Sequence, residues 1–183
     1  MLKYALLGFL NYDKKTGYEL KQTMDRSTNH FWHAKQSQIY QTLKKLEADS
    51  LVISHPEHQE SRPDRRVYAI TDSGKKAMAA WLAKPVTTLE PNKQLLLLKL
   101  FFSGGLGKEA LLTQLRLLRK LHEQQFDLYK TESPDVIKQH GNSNPELSRD
   151  TIMWESARRF GELHEKMYID WLDETIRMLA EHF

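Results

Sequence analysis

Between Lys35 and Asp49, Ile39, Leu43 and Leu46 recur at helical spacing, which predicts a helix with one apolar stripe. At about 100° per residue, Ser37, Gln41, Lys44 and Ala48 fall on the opposite side, with Gln38 and Lys45 flanking them. Such a helix buries one side and offers a hydrogen-bonding, positive side to something outside. The chain then turns at once into strand patterns. Leu51-Val52-Ile53 reads as a short strand, Pro56 to Asp64 as a loop rich in charge and proline, and Arg66-Val67-Tyr68-Ala69-Ile70 as the returning strand.

The flanking segments narrow the fold. Residues 2–10 are nearly all apolar and predict a buried first helix. The run is about half the length of a membrane span, and no small-residue cleavage site follows it. Asn11-Tyr12-Asp13 breaks it. Thr16-x-x-Glu19 matches a capping box, in which the hydroxyl takes a backbone N–H and the carboxylate reaches back. It opens a second helix, about 16–26, with Leu20 and Met24 on one face. Thr71-Asp72-Ser73 caps a fourth helix that ends near Pro85. Helix, helix, helix, hairpin, helix within residues 1–85 is the layout of a winged helix-turn-helix.

Residues 86–183 read as all-helical, so the chain is mainly α with two domains, 1–85 and 86–183. Leu95 to Phe102 is densely apolar. Residues 107–130 carry Leu111, Leu115 and Leu118 on one stripe, and Leu117, Leu121 and Leu128 on another. The glycines of Ser103-Gly104-Gly105-Leu106-Gly107 predict a turn, and Pro134 with Gly141-Asn142-Ser143-Asn144-Pro145 a loop. The last helix, about 147–180, carries a heptad-like seam: Met153, Ala157, Phe160, His164, Met167, Trp171, Glu174 and Met178. Trp154, Tyr168, Leu172 and Leu179 form a second apolar line. Two apolar faces require two neighbours. One is this domain itself, and the other is read as a second subunit, with Phe160, His164, Met167, Trp171 and Met178 at a dimer face.

Charge favours an acidic partner for the first part. Of the net +3, residues 1–85 carry +5 and the remainder −2. A helix fits the major groove, where glutamine and lysine side chains meet base edges and phosphates. Gln38 and Gln41 are therefore candidates for base contact with Ser37 beside them, and Tyr18, Tyr40, Lys44 and Lys45 for phosphate contact. In the wing, Arg62, Arg65 and Arg66 are candidates to clamp phosphates or enter a minor groove. His30-x-x-His33 and His55-x-x-His58 suggest metal, but a zinc site needs four ligands and the chain has no cysteine. No metal site and no cofactor are therefore assigned. No nucleophile elbow, phosphate-cradling glycine loop or His-Glu-x-x-His is present, so no enzyme is expected. Trp154, Phe160, Tyr168 and Trp171 are candidates to line a pocket for a small aromatic effector, against the plainer reading of core or dimer packing.

These residues resemble the PadR family of transcriptional regulators. Leu6-Leu7-Gly8-Phe9-Leu10 and Thr16-Gly17-Tyr18-Glu19-Leu20 look like that family's first two helices. Phe31-Trp32 with Ser37-Gln38-Ile39-Tyr40-x-x-Leu43-x-x-Leu46-Glu47 resembles its recognition helix, and Arg62-Pro63-Asp64-Arg65-Arg66-Val67-Tyr68-x-Ile70-Thr71-x-x-Gly74 its wing and next helix start. The remainder, most clearly Trp171-Leu172-Asp173-Glu174, is similar to the branch with a larger, virulence-activator-type helical C-terminal domain. The resemblance implies a dimer whose C-terminal helices interlock, against the partner's N-terminal helix at Leu6. It also implies DNA contacts from Tyr18, Gln38, Tyr40 and the wing arginines. One departure stands out: Lys35 lies where the family commonly places Ser or Thr to cap the recognition helix.

The expectation is a cytoplasmic, sequence-specific DNA-binding repressor. It is expected to work as a homodimer on a pseudo-palindromic stretch of double-stranded operator, released by a small aromatic effector, without a membrane partner. The alternative is a winged-helix module that docks a partner protein without DNA.

Overall fold

In the computed structural model the described residues are 1–28, 31–57, 65–89, 93–143 and 147–182, with backbone alone at 132, 136 and 139–143. Arg62, His30, His58 and Pro145, all singled out in the sequence, lie outside them. The chain divides into two units, Met1–Glu90 and Pro91–Phe183.

In the first unit the order is α1 (Leu2–Tyr12), β1 (Lys15–Thr16), α2 (Gly17–Ser27), α3 (Gln36–Ala48), β2 (Val52–Glu57), β3 (Arg65–Ile70) and α4 (Asp72–Leu82). The sheet is antiparallel with strand order β1-β3-β2. The two-residue β1 is too short for periodicity to reveal. It exists because Lys15 and Thr16 pair with Tyr68 and Val67 across the sheet. β2 runs on through Pro56 to Glu57, where the sequence suggested loop. As an edge strand, β2 has one side of its backbone unpaired, which is where a sheet tolerates proline.

The core of this unit is formed by Leu6, Leu7 and Leu10 of α1, Leu20 and Met24 of α2, Ile39, Leu43 and Leu46 of α3, with Val52 and Tyr68. Each such aliphatic side chain gains about 1.5–3 kcal/mol from leaving water. Leu6 is fully buried here. Its side chain packs within its own unit. α1 packs on α3 and α4 as well as on the sheet, so its central apolar residues all find neighbours inside the unit.

The α3–β2 turn passes through Ser50, whose φ of 57° is the one positive value among the described non-glycine residues. Thr71 clamps this turn. Its hydroxyl donates to the Ser50 carbonyl at 2.8 Å and accepts from Gly74 N at 3.0 Å, capping α4. A Cβ at Gly74 would lie 2.1 Å from the Leu51 carbonyl oxygen, so the helix start and the strand start touch through backbone.

The second unit contains α5 (Leu95–Phe101), α6 (Lys108–Ser143) and α7 (Ser148–His182). α6 and α7 form an antiparallel pair, with side-chain ties in descending order along α7. Lys108 Nζ donates to the Ala180 carbonyl, Arg119 grips Asp173 through two hydrogen bonds of 2.5 and 3.1 Å, and His122 meets Glu165 at 2.5 Å. Leu111, Leu115, Tyr168 and Leu172 form the core between them. The loop expected at Pro134 is helix instead. Proline in a helix interior removes one hydrogen bond and crowds the carbonyl four residues back, costing about 3 kcal/mol. The helix continues through it nonetheless, with side chains tied to the turn before it. Ser133 Oγ donates to the Leu128 carbonyl and Arg158 Nη1 to the Tyr129 carbonyl. The Tyr129 ring lies so close over Gly161 that a Cβ there would stand 2.3 Å from Cζ. The helix also continues through Gly141 to Ser143.

Candidate nucleic-acid interface

The interface candidate begins at the capping box. Glu19 N donates to Thr16 Oγ1 at 3.1 Å, and Thr16 N donates to Glu19 Oε2 at 2.7 Å. That backbone N–H is the main reason the Glu19 carboxyl is held below the usual carboxylate range. Because Thr16 also pairs with Val67, the start of α2 is tied to the wing strand. Tyr18 then projects from the first turn of α2, exposed, its hydroxyl accepting from Gln22 Nε2 at 3.0 Å.

α3 follows with its apolar stripe inward. Ile39, Leu43 and Leu46 are almost completely buried, while Ser37, Gln38, Tyr40, Gln41, Lys44 and Lys45 are all exposed. Gln36 joins them, a residue the helical-wheel argument passed over. The start of α3 lacks a Ser or Thr cap, and Gln38 supplies a substitute: Lys35 N donates to Gln38 Oε1 at 2.9 Å. A lysine side chain has no acceptor, so this is half a capping box at most. Gln38 therefore enters any contact with its carbonyl oxygen already engaged. The Tyr40 ring is half-packed on the start of α2, where a Cβ at Gly17 would approach Cε1 to 2.5 Å. Gly17 and Tyr40 together set how closely the two helices approach, a role visible only once the helices meet.

In the wing, Arg65 and Arg66 are not loose cations. Arg65 Nε donates to Glu57 at 2.6 Å and Nη1 to Glu19 Oε1 at 3.4 Å, and these carboxylates, Glu57 foremost, raise the guanidinium's pKa. Arg66 Nη2 donates to both oxygens of Glu47 at 3.0 and 3.2 Å, and Nε to Ser54 Oγ at 2.5 Å. Ser54 Oγ in turn donates to Glu47 at 2.5 Å. One arginine thus ties the wing root to α2 and the other ties it to the end of α3. No pattern in the sequence pairs residues 47, 54 and 66. Among the described residues, no group of three or more His, Asp or Glu is placed to hold a metal ion.

The C-terminal candidates separate by burial. Met153, Phe160, Met167 and Met178 of the seam are exposed, together with Leu163, while His164 and Trp171 are half-buried. Phe160, His164, Tyr168 and Trp171 form a ladder of neighbouring rings with centroids 5.5–6.2 Å apart. Tyr168 is core. It stacks on His122 at 4.1 Å and donates its hydroxyl to Gln94 Oε1, and burial raises its pKa. Trp154 is half-buried one helical turn before Arg158. A groove of about 600 Å³ between α5 and α6 is lined by Leu96, Leu100, Phe102, Leu111 and Gln114 among others, and by none of the four aromatic residues expected at an effector pocket. No helix among the described residues is long and apolar enough to cross a membrane.

Comparison with known proteins agrees with this architecture over the whole length. The profile of the PadR-like family of transcriptional regulators matches residues 6–80, and that of the virulence activator alpha C-terminal region matches residues 93–180. A probable transcriptional regulator of Mycobacterium tuberculosis is 33% identical over 98% of both chains. The negative transcriptional regulator PadR of Bacillus subtilis is 27% identical over 98% of this chain and 97% of its own. The crystal structure of that protein in complex with operator DNA superposes with a TM-score of 0.82 at 25% identity, covering 97% of each chain. Its structure in complex with p-coumaric acid gives 0.61 at 26% identity, covering 98% of each chain. The fold is mainly helical, a winged helix-turn-helix followed by an all-helical C-terminal part. The chain belongs to the PadR-like family of transcriptional regulators and is not an enzyme.

Proposed function

We propose that this protein is a repressor that binds a pseudo-palindromic operator as a homodimer. Residues 1–85 grip the DNA and residues 86–183 hold the dimer. The observation that carries the reading is the outward side of α3, where Ser37, Gln38, Gln41, Lys44 and Lys45 stand exposed above a stripe of fully buried leucine and isoleucine. Gln41 reads a base edge, with Ser37 and the free amide of Gln38 beside it. Tyr18, Tyr40, Lys44 and Lys45 take phosphates. Arg65 and Arg66 brace the wing that carries Arg62. Two copies of α3 then address half-sites about one helical turn, or a small multiple of it, apart. Support comes from a relative solved on operator DNA and named a negative regulator.

The exposed stripe of Met153, Phe160, Leu163, Met167 and Met178 supports dimerisation, since soluble monomers rarely leave so continuous an apolar face in water. Release by a small aromatic acid is supported by the ring ladder on α7 and by the relative solved with p-coumaric acid. Such a ligand acts by binding one dimer geometry better than another. The protein then works in the cytoplasm, where its operator lies.

The test is salt-titrated binding to the DNA upstream of the protein's own gene and to a random duplex. Tight, sequence-dependent binding that weakens steeply with salt is expected. Gln41→Ala is expected to relax discrimination by about 1–3 kcal/mol at the base pair it reads. Absence of any salt-dependent DNA complex, with capture of a protein partner instead, refutes the reading.

A further inference from the structure

Glu47 stands at the last turn of α3, a place where a carboxylate opposes both the helix dipole and a nearby phosphate backbone. Its position has another use. The Glu47 carboxylate receives two hydrogen bonds from the Arg66 guanidinium and one from Ser54 Oγ, and Ser54 Oγ also receives Arg66 Nε. Arg66, Tyr68 and Ser54 share one face of the β2–β3 ribbon, since Ser54 pairs with Tyr68 and strand side chains alternate. Buried Tyr68 fills the space beneath, so the polar triad closes over the seam between the ribbon and α3. Arg66 remains about three-fifths exposed while so held, and Glu47 about a third.

We infer that Glu47, acting through Ser54 and Arg66, is a positioning residue that fixes the wing to the recognition helix and withholds one cation from indiscriminate phosphate contact. The inference rests on the DNA-binding reading above and deepens it by naming a residue that sets specificity without touching a base. While the triad is closed, Glu47 and Ser54 occupy Nε and Nη2 of Arg66 and the carboxylate offsets its charge, so a phosphate gains the full guanidinium only by displacing these partners. Any duplex, whatever its sequence, meets that same cost. Opening the triad has two consequences. One further guanidinium joins the phosphate contacts on all DNA. The ribbon is also no longer registered to α3, so the correct operator loses the advantage of having wing and helix presented together.

The experiment compares the full-length parent, Glu47→Gln, Arg66→Ala and the double variant on the upstream duplex and on a random duplex across a salt series. Glu47→Gln keeps the side-chain length, and circular dichroism confirms that the fold is retained. On the random duplex its binding is expected to rise and its salt slope to steepen by about one unit. That corresponds to about 3- to 4-fold more change in affinity across a fourfold change in salt. The ratio of operator to random affinity is expected to narrow. Both effects are expected to vanish when Arg66 is already Ala, since the carboxylate acts through that residue. Slopes and ratios parallel to the parent overturn the inference. So does a Glu47→Gln effect that persists undiminished in the Arg66→Ala background, which would mark simple repulsion between carboxylate and DNA. A parent that binds neither duplex refutes the regulator reading itself, and this inference with it.

Discussion

Replacing Gly17 by Ala tests how Tyr40 is held at the proposed DNA face. Gly17 is buried at the first position of α2, and a methyl group there would stand 2.5 Å from Tyr40 Cε1, 2.9 Å from Cζ and 3.1 Å from Cδ1. Carbon atoms pack comfortably at about 3.5–4.0 Å, so the ring has to retreat by about 1 Å. Tyr40 is 44% exposed, which leaves it room toward solvent without unfolding the unit. Overpacking costs about 1–3 kcal/mol, and the lower end applies where one side is open. The helix preference of Ala over Gly, up to about 1 kcal/mol in a helix interior, offsets part of this and is weaker at the first turn. The net expectation is destabilisation by about 1 kcal/mol, or about 4–8 °C in Tm for a unit of this size. DNA binding falls further than stability accounts for, by about tenfold if one phosphate contact from the Tyr40 hydroxyl is lost. Thermal unfolding by circular dichroism and salt-titrated binding measure the two effects. In a Tyr40→Ala background the same glycine substitution becomes neutral or stabilising. Equal destabilisation in both backgrounds, or an unchanged parent-like Tm and affinity with Tyr40 present, refutes the packing argument.

Gly161→Ala makes a sharper clash, because Tyr129 is only 3% exposed and has nowhere to move; a loss of about 3 kcal/mol in the α6–α7 pair is expected from thermal unfolding. Ser50→Gly relieves a left-handed backbone without disturbing the Thr71 clamp, which uses the Ser50 carbonyl, and is expected to raise stability by about 1 kcal/mol in a denaturant titration. The Asp173 carboxyl is held below its usual range chiefly by the hydrogen bond from Arg119, so its contribution is complete above the ordinary aspartate range and is lost as pH falls through the lowered folded value. An acid titration of helicity is therefore expected to show a shallower loss at low pH for Asp173→Asn than for the parent. Phe160→Glu, on the exposed stripe of α7, is expected to convert a dimer to monomers in sedimentation velocity while leaving the helix content unchanged.

The segments whose information is local were legible in the chain. Thr16 and Glu19 lie three residues apart, and the reciprocal bonds they form depend on nothing further away. The inward stripe of Ile39, Leu43 and Leu46, and hence the outward side of α3, follows from helical period alone. So does the exposed seam on α7 at Met153, Phe160, Met167 and Met178. Gln38 marks the limit of this reasoning. Its spacing from Lys35 is local, yet the missing Ser or Thr cap drew attention to residue 35 when the answer lay in the side chain at residue 38.

What depended on distant partners was decided only when the elements packed. β1 is a strand because Tyr68 and Val67 arrive beside it, and α6 runs on past Pro134 where Arg158, far along the chain, donates to the Tyr129 carbonyl. Leu6 is core because α3 and α4 cover α1. Arg65 and Arg66 read as free wing cations in one dimension, while in three they are paired with Glu57, Glu19 and Glu47. Period and capping act within a turn of helix, and the sequence by itself determines them. Ion pairing and close approach act across whatever the fold brings within a few ångströms, and for those the tertiary structure decides.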